Sequence, residues 1–127
     1  MEYGYKRKVE YSFEEAVQKL RAELPKEGFG VLTEIDVKAT FKKKLDVDFD
    51  KYIILGTCNP PFAYQALQAE KDIGLLLPCN IIVYEDAGHT YISEIVPTVA
   101  MSMVENDKLG GIAVEVEAKL QKVIDSV

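Results

Sequence analysis

The stretch "NIIVYEDAGHTYISEIV", residues 80–96, decides the fold. Two runs rich in β-branched and aromatic residues flank Asp86-Ala87-Gly88, a turn signal, so the segment reads as a β-hairpin. A hairpin makes antiparallel neighbours, which the repeated βαβ unit of a nucleotide-binding sheet does not contain. Glu85, Asp86, His89 and Glu94 lie in it, and a hairpin is expected to expose such residues to water.

Upstream, "KYIILGT" (51–57) is a nearly continuous apolar run, expected as a central strand, and "FGVLTEI" (29–35) and "YGYKRKVEY" (3–11) are further strands. Between them "SFEEAVQKLRAEL" (12–24) opens a helix with Ser12 and Glu15 as a capping box, and Ala16, Val17, Leu20 and Leu24 form its apolar stripe. "DVKATFKKKL" (36–45) is a short helix capped by Asp36, with Val37, Phe41 and Leu45 on one face. "PPFAYQALQAEKD" (60–72) is a third helix, with Phe62, Ala66 and Leu67 inward, Asn59 as its cap and Pro60 at its first position. Past the hairpin, Met101 and Met103 fill a gap before the last helix. That helix, "LGGIAVEVEAKLQKVIDSV" (109–127), carries Leu109, Ile112, Ala113, Val116, Leu120, Val123, Ile124 and Val127 at helical spacing.

The order β-α-β-(α)-β-α-β-β-α predicts an α+β fold in one domain, residues 1–127. Its five-stranded, mainly antiparallel sheet has helices packed on one face. No Gly-rich phosphate loop accompanies it. The net charge of −6 argues against a nucleic-acid partner. The basic clusters at 6–8 and 42–44 read as solvated faces of a strand and a helix. No apolar run is long enough to span a bilayer, the first sixteen residues carry charges where a signal peptide needs an apolar core, and the cytoplasm is the expected compartment.

The two cysteines, Cys58 and Cys79, are each followed by asparagine. Cys58 stands before a helix N-terminus, where amide groups and the helix dipole can favour a thiolate; as a bland alternative it is a small apolar filler. Nothing near Cys79 in sequence lowers its pKa. Parallel flanking strands would separate the two by about 20 Å, whereas antiparallel strands would bring them to one end of the sheet. Asn59 and Asn80 suit a helix cap and a turn. His89, with the two cysteines, is a weak metal candidate, but no compact zinc-ligand spacing is present. Tyr64 can line a site near Cys58, and no acid–base set stands out.

"GTCNPPFAYQAL" (56–67) and "GLLLPCNIIVYED" (74–86), with the opening at 3–45, resemble the small bacterial and archaeal proteins grouped as domain of unknown function 302. The resemblance implies an arrangement similar to a TATA-binding-protein-like half, a homodimer, and no established activity, substrate or cofactor. It also implies the antiparallel case, in which Cα atoms within about 7 Å would permit a disulfide between the cysteines. The expected function is non-catalytic binding of a small molecule or partner, with Cys58, Asn59, Tyr64, Cys79 and Asn80 as candidate site residues and no cofactor. The alternative is a thiol-based redox or metal-handling protein using Cys58 and Cys79.

Overall fold

The hairpin forms where the sequence places it. In the computed structural model, which describes residues 2–127, strands β4 (Cys79–Asp86) and β5 (His89–Ile95) pair antiparallel, with Asp86 opposite His89. Ala87 and Gly88 turn the chain at φ 50° and 81°, a left-handed pair matched to the twist of two strands. Around this hairpin lie β1 (Gly4–Val9), β2 (Gly30–Asp36) and β3 (Tyr52–Cys58), in the order β1-β5-β4-β3-β2. Every neighbouring pair is antiparallel. As its apolar run suggests, β3 is an interior strand, paired on both sides. The central strand is β4, and β3 lies between it and β2, a largely exposed edge strand.

Among the described residues the sheet is joined by five α-helices: α1 (Phe13–Glu23), α2 (Val37–Leu45), α3 (Pro60–Ala69), α4 (Pro97–Ala100) and α5 (Asp107–Ser126). The caps on α1 and α2 form as read, with Glu15 N–H donating to Ser12 Oγ and Ala39 N–H to Asp36 Oδ1. The short α4 was not foreseen, and no residue of α2 is buried.

Strand alternation sorts side chains between the sheet's two faces. Val9, Ile53, Leu55, Ile81, Val83 and Ile92 are buried on the inner face against Ala16 and Leu20 of α1 and Val116, Leu120, Val123 and Ile124 of α5. On the other face Tyr52, Tyr84 and Tyr91 stack across three strands, with centroids 5.4 and 5.3 Å apart. Gly56 marks a close approach. A Cβ there would overlap Thr33 Oγ1 and lie 2.8 Å from Pro78 Cγ, beside a bulge between Val31 and Thr33 on β2.

The basic cluster at 6–8 splits between the faces. Lys6 and Lys8 are exposed, as expected of a solvated strand, but Arg7 is half-buried and points inward. Its guanidinium donates to the carbonyls of Ile124 (2.9 Å), Asp125 (3.3 Å) and Val127 (2.8 Å), at the end of α5 where intrahelical donors run out. A cation at that terminus also opposes the helix dipole. Arg7→Met keeps the apolar stem and removes the donors. It should cost about 2 kcal/mol in urea unfolding, whereas Lys8→Met should change stability by less than about 0.5 kcal/mol.

Candidate functional site

The inner layer is not filled along its whole length. Where α3 and the first half of α5 face each other over the strand ends, the facing residues are small: Ala63 and Ala66 on α3, Ala113 on α5. Small side chains at these positions leave space unfilled, and a cavity of about 350 Å³ remains. Phe29, Phe62, Leu77, Pro97, Met101, Leu109 and Ile112 supply most of its apolar wall. Its polar contributors are Thr57, Cys58, Asn59 and Cys79, and the Thr57 hydroxyl is already used, donating to Cys79 O at 2.8 Å.

Three of the five candidate site residues, Cys58, Asn59 and Cys79, thus line the cavity. Tyr64 and Asn80 do not line it; both are exposed, Tyr64 on the solvent side of α3 and Asn80 at the start of β4. Leu67, expected inward, does line the cavity while staying partly open to solvent, and of the two methionines only Met101 reaches the cavity. Asn59 stands at the cap position of α3 but does not cap it. Its Nδ2 donates instead to Glu27 O at 3.0 Å, tying the helix start to the loop after α1.

The pairing of the cysteines is corrected. Strands β3 and β4 are antiparallel, but their register sets Thr57 opposite Cys79. Successive side chains leave a strand on opposite faces, so Cys58 does not meet Cys79. Both thiols are free and are not near each other. Of the two readings of Cys58, burial favours the apolar filler over the activated thiolate. Burial pushes the Cys58 pKa up from 9.0, the direction opposite to a stabilised thiolate. Cys79 rises to about 11 through burial and the charge of Glu94. His89 lies at the other end of β4 from Cys79, opposite Asp86. Among the described residues no three His, Cys, Asp or Glu side chains converge as a metal would require.

A further correction concerns Glu94. Expected at an exposed hairpin face, it is instead 1% exposed, and neither carboxyl oxygen has a hydrogen-bond partner. The two-residue turn sets Glu94 opposite Ile81, on the parity of Ile92 and Thr90, which is the buried face. Burial raises its pKa from 4.5 to about 9, helped by the charges of Glu117 and Asp125 on α5. Counting from the turn would have found it, because its parity is that of the apolar positions.

No helix among the described residues is long and apolar enough to cross a membrane. The model of the family described as domain of unknown function DUF302 matches residues 5–127, and the chain belongs to that family. The chain is also similar to a crystal structure described as an uncharacterized conserved DUF302 protein from Bacillus stearothermophilus. The two share 31% identity and a TM-score of 0.93, over 99% of this chain and 98% of that one. No curated protein matches.

Two measurements check the electrostatics. At neutral pH both thiols should alkylate more slowly than a free cysteine, Cys79 the slower, and a Cys58 pKa below 9.0 would contradict this account. Between about pH 4.5 and 9 the unfolded chain has Glu94 ionised while the folded chain keeps its proton. Stability should therefore fall with rising pH across that window, by at most about 1.4 kcal/mol per unit from this group. Urea titrations of Glu94→Gln should lack that component, its advantage over the natural chain growing from pH 5 to pH 9.

Proposed function

We propose that the chain works as one domain, residues 1–127, that binds an apolar small molecule in the cavity between α3 and α5 and does not catalyse a reaction. The observation that carries this reading is the cavity itself, about 350 Å³ with an almost wholly apolar wall. A protein interior normally closes such space, and a dry cavity of roughly 150 Å³ already accepts benzene. The volume here suits an alkyl chain of medium length or a small fused ring. Cys58, Asn59 and Cys79 serve as wall residues in this reading, and Cys79 with its high pKa is a neutral contact rather than a nucleophile. Two free thiols fit a cytoplasmic location.

A second assembly-level reading rests on the β2 edge. Leu32 is 65% exposed, Ile35 48%, and Leu45, just beyond on α2, 65%. An edge strand with apolar side chains uncovered is a surface for pairing with another strand, and a homodimer through β2 would cover it. Sedimentation equilibrium should then show a dimer that Ile35→Lys returns to monomer.

For the cavity, 1-octanol titrated into the protein with methyl NMR detection is the direct test. Shifts at Ala63, Ala66, Met101 and Ala113 should saturate together, and Ala113→Leu should weaken binding at least about tenfold by occupying the space. Absent shifts, or an affinity unchanged by Ala113→Leu, would remove the reading.

A further inference from the structure

The apolar cavity and the unpartnered carboxyl of Glu94 are neighbours. Glu94 does not line the cavity but lies behind its wall at three adjoining points. Cys79, a wall residue, is its diagonal neighbour across β4, because Glu94 pairs with Ile81. Pro97, another wall residue, follows three positions along the chain. Val116 lines the cavity on α5, next to Glu117, whose carboxylate bears on Glu94. Cys79 is thus a neighbour of both, lining the cavity and feeling the charge of Glu94.

Buried carboxyl groups normally have partners, and one with none on either oxygen is an exception that calls for a cause. The charges facing it indicate what is missing. From α5, Glu117 and Asp125 are both acidic; from β4 comes the neutral thiol of Cys79; from β1, Tyr5 pairs directly opposite and donates its hydroxyl to Asp125 at 2.7 Å. The nearest basic group on the inner face of β1, Arg7, is bound to the last carbonyls of α5, and Lys6 lies on the exposed face. Glu117 is itself held by the Thr98 amide at 3.0 Å and the Thr98 hydroxyl at 2.6 Å. The end of α5 adds the negative pole of its dipole. Among the described residues, the groups that shift Glu94 from behind this apolar cavity are therefore acidic, with no cation among them.

We propose that the cavity takes an amphiphilic primary amine, its hydrocarbon part against α3 and α5 and its ammonium group reaching past Cys79 to form an ion pair with Glu94. This rests on the cavity being a binding site. Glu94 is protonated in the free protein at neutral pH, so the proton balance is defined. The neutral carboxylic acid and the ammonium ion become a carboxylate–ammonium pair, and one proton goes to solvent. An alcohol of the same length fills the same space without that exchange.

The test is isothermal calorimetry at pH 7 with octylamine and 1-octanol, each below its micelle-forming or solubility limit, in phosphate and in Tris. These buffers differ in ionisation enthalpy, so the difference in heat counts protons. The expected result is octylamine bound at least about tenfold more tightly than octanol, with close to one proton released per amine. Glu94→Gln should lose the preference for the amine and keep octanol binding, which also reports that the variant is folded. Should the variant not fold, the affinity ratio and proton count of the natural chain decide alone. Equal affinities, no proton released, or an unchanged preference in Glu94→Gln would overturn the proposal while octanol binding left the cavity reading intact. Binding of neither probe would overturn both.

Discussion

The structure depends on one packing relation, the apolar stripe of α5 laid across the inner face of an antiparallel sheet. Val116, Leu120, Val123 and Ile124 meet Val9, Leu55, Ile81, Val83 and Ile92 there, and α1 closes the same layer with Ala16 and Leu20. Burial of these side chains is the main driving force, each worth about 1.5–3 kcal/mol of transfer free energy before the conformational entropy it opposes. Hydrophobic contact is non-directional and would leave the helix free to slide. Arg7 supplies the direction, because its guanidinium reaches the last carbonyls of α5 only when the helix ends over β1.

With the C-terminal half of α5 held tightly, the other half determines the cavity. Its first turns carry Leu109-Gly110-Gly111, and Leu109, Ile112 and Ala113 line the space beside α3. On the opposite side α3 presents Ala63 and Ala66. The same layer is therefore dense at one end and open at the other, and the difference comes from side-chain volume at a few positions rather than from backbone irregularity. Glu94 sits between the two regimes, on the packed side of the wall.

Much of the fold was legible in periodicity. The hairpin, the two side-chain caps at Ser12 and Asp36, and the stripe of α5 rest on local rules, and those rules operate on neighbouring residues. The site was only partly legible, for a physical reason in each case. Cys58 and Asn59 stand where a strand passes into a helix, and that junction does face the cavity. Whether Cys58 meets Cys79 depended on the register of β3 against β4, a tertiary property one residue wide. Tyr64 falls on the outer side of α3 because Phe62 and Ala66, not Tyr64, share the inward stripe. Glu94 was misplaced by residue type. A glutamate in a hairpin is ordinarily solvated, and the turn parity that buries this one carried less weight than its charge.

Gly56 gives the strand a fixed ruler mark. Only a residue without a Cβ fits between the Thr33 hydroxyl and the Pro78 ring, and every other position of β3 carries a side chain. Sliding β3 by one place would drive Leu55 or Thr57 into that slot. The spacing from Gly56 to the start of α3 is therefore measured out from a steric stop: one residue on stands Thr57, two on Cys58, three on Asn59. Chain length between the stop and the helix decides which atoms the cavity presents. A single inserted or deleted residue in that short span would leave the hydrophobic layer standing and replace the chemistry of the wall.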